Sequence, residues 1–359
     1  MFNDDVSITA GGQVLSGWTD VRITRGVERL PSDFCVSMTD ATPGTLQAMQ
    51  VRKGDPFQLK IGNDLVITGY VDKVVPGMSA RSHSIRLAGR SKCSDLVDCA
   101  AEWPGGQISG ANALVIAQKL ASVYGVNGEG IPVATSITDL PIIPQFNLML
   151  GESAFEIIER ICRYSAALVY DLPDGSLFLT QVSTKPAASS LIEGQNVETA
   201  WIEDSADGIF SEYDAYLQSM QDLDDLGGGT GNLQYTAYDK NCRRHRKMVL
   251  IAEAAGGGLA ILRRRTLWEA ARRAGRSQVV RVQVDSWRDG AGVLWTPNTL
   301  VSVELPTLKL ESATLLLGEV TFQLDDRGGH VAELLLMDPA AFTPQPVLLQ
   351  PLLAEFAHG

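Results

Sequence analysis

One strand–turn–strand pattern occurs twice in this chain. The first copy, FQLKIGNDLVITGYVDKV, covers Phe57–Val74, and the second, LVSVELPTLKLESATLLLGEVTFQL, covers Leu300–Leu324. Each second strand carries Gly-x-Val, at Gly69–Val71 and at Gly318–Val320. An acidic residue follows at Asp72 and at Asp325-Asp326, and a third strand is expected at Ile85–Gly89 and Val331–Met337. Phe57, Leu59 and Ile61 alternate with Gln58 and Lys60, as a half-buried strand requires. In the second copy the same alternation assigns Leu316, Gly318, Val320, Phe322 and Leu324 to one face. Leu317, Glu319, Thr321 and Gln323 then take the other. Alternating hairpins also resemble one another by chance. If the repeat is structural, the chain holds two like β units with something different between them.

The rest of the chain fits that division. Residues 1–95 read as short strands separated by Gly, Pro, Asp and Asn clusters, the signature of a small barrel or sandwich. The period then changes. Leu114, Ala117, Leu120, Ala121 and Tyr124 recur at helical spacing. Further on, Ser153 and Glu156 form a capping box ahead of an apolar face of Phe155, Ile158, Ile161 and Cys162. A hairpin is expected across Pro173-Asp174-Gly175. Residues 96–185 are therefore an α+β insertion. Residues 186–340 return to β patterning, with a basic helix expected near 259–276, and the Pro-rich residues 341–359 read as an extended arm. The expected fold class is mainly β with an α+β insertion: two similar β-barrel domains plus a smaller α+β domain.

Charge is unevenly spread. The net charge is −12, yet residues 239–281 hold 12 Lys and Arg against 3 Asp and Glu, so that segment carries +9 and the remainder −21. An acidic body argues against general nucleic-acid affinity. The basic segment suggests either a docking surface for an acidic protein or for phosphate, or a solvated helix face with pairing to the acidic body of the chain. The candidate interface residues are Arg243, Arg244, Arg246, Lys247, Arg263, Arg264, Arg265, Arg272 and Arg273. The tryptophans at 18, 103, 201, 287 and 295 sit at strand starts or turns, with core anchoring preferred over interface anchoring.

Chemistry is sparse. The four histidines, His83, His245, His330 and His358, show no metal-ligand spacing, and no nucleophile elbow occurs. The glycine clusters at 227–231 and 256–258 lack the Lys and Ser/Thr of a phosphate loop. The pairs Glu203-Asp204 and Asp325-Asp326 lie next to turns, where solvation is the plain expectation. No catalytic, cofactor or metal site is expected. The five cysteines are odd in number and irregular in spacing, so buried thiols are expected rather than disulfides. No apolar run approaches the roughly 18 residues that span a bilayer, and the acidic start MFNDD does not read as a signal peptide.

Six stretches in order carry a resemblance. They are GWTDVRITRGVERLPSDFCVSM, GDPFQLKIGNDLVITGYVDKV, GRSKCSDLVDCA, ESAFEIIERICRYSAALVYDLPDGSLFL, DSWRDGAGVLWTPNTLVSVELP and LLLGEVTFQLDDRGG. Together they resemble the baseplate hub proteins of Mu-like contractile-tailed phages and prophages. The resemblance implies a homotrimer whose six barrels form a ring, with the α+β domains as a cup around a central channel. Such a hub adapts a six-fold tail tube to a three-fold spike and passes DNA. Its implied partners are copies of itself, the tail spike, tail tube, baseplate wedge and tape measure proteins. DNA is implied only in transit, and no membrane insertion is implied. Its implied place is the virion tail, after assembly in the host cytoplasm. Two alternatives stand beside it. One is a hub of a type VI secretion or headless-tail particle, similar to the N-terminal part of VgrG. The other is a cell-wall hydrolase using Glu102, Glu203 or Asp204 as its acid.

Overall fold

The computed structural model describes residues 4–40, 50–79, 83–103, 105–218, 233–253, 258–325 and 329–344. Thirteen strands join in one sheet. From its N-terminal edge the order is Gln13–Leu15, Val6–Ala10, Pro56–Ile61, Asp64–Met78, His83–Ser91, Asp33–Asp40 and Asp20–Gly26. It continues through Leu310–Asp325, Gly329–Met337, Gln278–Val284 and Val197–Asp204. Leu300–Leu305 lies off this path, paired with Leu310–Asp325 and with the short strand Leu191–Ile192. A bridge from Glu193 to Val197 leads from that short strand back to Val197–Asp204.

The repeated pattern forms two antiparallel meanders. One is Pro56–Ile61, Asp64–Met78 and His83–Ser91; the other is Leu300–Leu305, Leu310–Asp325 and Gly329–Met337. Both long middle strands bulge against the third strand, between Val71 and Lys73 and between Leu317 and Glu319. An extra residue bends a strand and raises its twist, which suits a strand wrapping a curved core.

The second bulge corrects the expected face assignment. Gly318 is the unpaired residue, so the alternation changes phase there. Leu317 therefore shares the main core with Val320 and Phe322. Leu316 points instead into a smaller cluster with Val27, Tyr170, Met337 and Phe342. Alternation counted straight through a bulge assigns every residue before it to the wrong side.

The β halves are not separate sheets. Asp20–Gly26 pairs with Leu310–Asp325 from Val21–Leu324 to Gly26–Glu319, and one core runs through both. That core holds Ile8, Phe34, Leu59 and Leu87 from the first half and Val282, Val301, Val320 and Leu334 from the second. Trp287 is fully buried there and donates its indole N–H towards the carbonyls of Gln323 and Val331. Trp18 and Trp295 are buried as well, whereas Trp201 is 47% exposed on the edge strand.

The insertion has its own core around Ile116, Leu120, Ile157, Ile158, Ile161, Leu177 and Leu179. Asn112 caps the helix Ala113–Ala121 by accepting from the Val115 N–H at 3.0 Å. The Ser153–Glu156 box caps Ala154–Tyr164 reciprocally, at 2.7 and 3.2 Å. The hairpin across Pro173–Gly175 joins Leu168–Asp171 to Leu177–Thr180 and anchors the insertion to the body. Buried Asp171 accepts from the Ser32 N–H and hydroxyl at 3.1 and 2.9 Å, and Thr68 donates to the Pro173 carbonyl. Gly175 adopts φ +82°, and a Cβ there would stand 2.7 Å from the Thr68 carbonyl oxygen, so this turn needs glycine on two counts.

The expected arm does not begin at 341. Pro339–Phe342 is a single helical turn, and Ala341 and Phe342 are buried against the body. The glycine cluster at 227–231, Gly256 and Gly257 of the second cluster, Asp326, His358 and the arm residues 345–359 lie outside the described residues.

Candidate interaction surface

The basic segment folds as a small layered unit. Leu233–Tyr238, Glu212–Gln218 and Lys247–Glu253 form a three-stranded sheet with Glu212–Gln218 in the centre. Strand alternation sorts its two faces. Ala215, Tyr235, Met248 and Leu250 meet Leu262 of the helix Gly258–Ser277. The opposite face carries three cross-strand rows: Tyr238–Glu212–Lys247, Thr236–Asp214–Val249 and Gln234–Tyr216–Ile251.

Much of the basic charge is held within the chain. Lys247 pairs with Glu212 at 2.9 Å and with Asp214. These bonds, Asp214 first, push its pKa up. Asp214 has almost no accessible surface but only a thin cover of Lys247 and Thr236, and both hold its carboxyl below the usual range, Lys247 more strongly. Arg246 donates to the carbonyls of Ala206 and Asp207 at 3.0 and 2.8 Å and lies over the Phe210 ring. Arg273 reaches Glu269 at 2.5 Å and the Gly208 carbonyl at 3.1 Å, covering the same ring from the helix. Arg272 bonds Glu28 and the Thr343 carbonyl, both at 3.0 Å, and Arg276 bonds Glu28 too. Burial pushes the Arg272 pKa down, and neighbouring Arg276 adds to this against the pull of Glu28.

Four of the other candidates face outward. Arg263 and Arg264 are exposed on the helix, with the Arg263 guanidinium 5.9 Å from the Tyr235 ring centre, and Arg265 is half-buried. Arg243 and Arg244 are exposed in the turn before Lys247. The nine expected residues thus split. Arg246, Lys247, Arg272 and Arg273 bind partners within the chain, Arg265 is half-buried, and Arg243, Arg244, Arg263 and Arg264 present charge to solvent. Sequence reasoning missed the apolar part of this surface. Tyr238, Val249 and Ile251 are 71%, 54% and 68% exposed. The run Met248-Val249-Leu250-Ile251 is apolar at both parities, which hides the fact that one parity faces out.

Nothing here resembles an acid–base site. Glu102, Glu203 and Asp204 are all exposed, without the enclosure that a proton-donating carboxyl needs. Among the described residues no group of three His, Cys, Asp or Glu side chains could hold a metal ion. All five cysteines are free.

Comparison with known proteins decides the family. Over 337 residues the chain is 31% identical to the baseplate hub protein gp44 of Escherichia phage Mu, covering 91% of this chain and 86% of that protein. The chain belongs to the Mu-like baseplate hub family. Family models match three stretches of the chain: the N-terminal domain of Mu phage baseplate assembly protein GpP-like matches residues 5–91. The second domain of the gp44-like hub matches 93–181, and the fourth domain of GpP matches 259–345. Among solved structures, the 43 kDa tail protein of prophage MuSo2 from Shewanella oneidensis superposes with a TM-score of 0.83 at 28% identity. It covers 94% of this chain and 99% of that one. The E. coli c3393 protein, a component of the type VI secretion system, shares the fold with a TM-score of 0.56 at 9% identity, over 95% and 80% of the two chains. The 31% identity and the family models make this chain a baseplate hub protein of a Mu-like phage.

Proposed function

We propose that three copies of this hub form a ring at the centre of the baseplate, adapting the six-fold tail tube to the three-fold spike. One observation carries this reading. A chain of the hub family holds two meanders of the same strand order, so three chains present six similar β units to one neighbour while keeping three-fold symmetry for another. Each half acts as a curved, barrel-like unit, and the insertion lines one mouth of the ring. The protein works by shape and contact, without catalysis. The tail spike, tail tube, wedge and tape measure proteins are its partners, and it enters the virion tail after assembly in the host cytoplasm. The exposed Arg243, Arg244, Arg263 and Arg264 meet a protein neighbour, while Arg246, Lys247, Arg265, Arg272 and Arg273 shape that surface.

DNA crosses the ring without being gripped. Duplex DNA carries one charge per ~1.7 Å of axis, so a basic wall would bind it in a salt-dependent way, whereas an acidic wall lets it slide. The excess of 42 Asp and Glu over 30 Lys and Arg favours the acidic wall. Sedimentation equilibrium tests the assembly: a mass near three times 38.7 kDa supports it, and a monomer at all concentrations refutes it.

A further inference from the structure

Two apolar patches lie on different parts of the chain. One is the outer face of the small sheet, with Tyr238, Val249 and Ile251. The other is a knob on the insertion, where Met149 and Leu150 are 67% and 107% exposed. Met149 and Leu150 occupy the turn just ahead of the capped helix Ala154–Tyr164, so a rigid element supports them. Apolar side chains clustered in this way mark interaction sites. The small sheet also has reason to gain from cover: it is three strands wide, and the core behind it is little more than Ala215, Leu250 and Leu262.

We propose that the sheet face of one copy docks on the insertion knob of the next. Charge selects this occupant. Residues 239–281 carry +9, part of it paired with Glu28, Glu212 and Asp214, while Arg243 and Arg244 stay exposed in the turn leading into the sheet's edge strand. The insertion, residues 96–185, holds 9 Asp and Glu against 4 Lys and Arg, a net −5, and exposed Glu102 follows Ala101, whose N–H bonds the Glu152 carbonyl two residues past Leu150. Opposite charge around two apolar centres steers and registers the contact. The patches differ from one another, so their meeting is head-to-tail, and such a contact closes into a ring when its rotation allows. A two-fold dimer would instead bring the same patch together twice. This inference rests on the three-copy ring proposed above.

Cross-linking tests it. Ile251→Cys and Leu150→Cys are each placed in a Cys99→Ser parent, because Cys99 is the native thiol at the exposed surface. Co-expressed under different tags and treated with a short bismaleimide, the two variants are expected to give a mixed cross-linked dimer. Each variant alone is expected to stay at the parent's background, and the double variant to give a ladder ending at three copies. A trimeric parent with no mixed cross-link removes this contact and leaves the ring. A parent that sediments as a monomer removes both.

Discussion

Phe322 and Ile23 stand directly opposite one another where the C-terminal half of the sheet meets the N-terminal half. Both side chains are buried in the shared core, and Trp287 packs edge-on to Phe322 with ring centres 5.9 Å apart. Because the seam joins the two β units through one core, they should unfold together. Phe322→Ala is expected to cost about 3–5 kcal/mol, the usual range for emptying a buried aromatic site. Urea unfolding followed by tryptophan fluorescence and by circular dichroism should keep one coincident transition at a lower midpoint. Two separated transitions would show that the halves fold apart.

Gly318 is tied to Phe342 in the same quantitative way. A Cβ at Gly318 would lie 2.4 Å from the Phe342 ring, far inside van der Waals contact. Gly318→Ala is therefore expected to destabilise by about 1–3 kcal/mol, an overpacking cost. Combining it with Phe342→Leu should recover part of that loss, so the pair should be non-additive in a double-mutant cycle. Additive losses would mean that the glycine serves the bulge alone.

The Lys247–Asp214 pair gives a pH dependence with a fixed sign. Asp214 titrates below its unfolded value, first because of Lys247 and then Thr236. Its contribution is complete above the unfolded carboxylate pKa of about 4 and fades as pH falls through the lower folded value. Lys247→Met should therefore speed amide exchange in Lys247–Glu253 at neutral pH, with the gap to wild type closing towards pH 3. A gap that stays constant with pH would assign the effect to lysine packing instead of charge.

Thiol reactivity should follow burial. Cys93 and Cys162 are buried, and desolvation pushes both pKa values up, so neither should alkylate before unfolding. Cys99 should be labelled in the native protein, though more slowly than a free thiol, because partial burial and then Asp95 raise its pKa. Mass spectrometry after limited iodoacetamide treatment reads this order directly, and early labelling of Cys162 would contradict the described packing.

Much of this fold is legible in the residues, and the gaps have physical causes. Local chemistry marks the Ser153–Glu156 cap and the Pro173–Gly175 turn, because a few adjacent atoms set them. The meanders show through alternation. The seam between Asp20–Gly26 and Leu310–Asp325 does not, because nothing in either strand names so distant a partner. The side exchange at Gly318 is hidden because a bulge leaves hydrophobicity unchanged while shifting its phase. At the candidate surface, composition marks the arginines but cannot separate those spent on Glu28, Glu269 and backbone carbonyls from those facing out. The apolar patches at Ile251 and Leu150 need three-dimensional exposure to be seen at all.

The central claim is that a repeated β unit lets three chains imitate six. Electron-microscope images of the purified protein viewed down the ring axis test it most directly. The account predicts class averages with three-fold symmetry and six similar lobes around a central opening. Single-chain particles, or a ring with one lobe per copy, would contradict it.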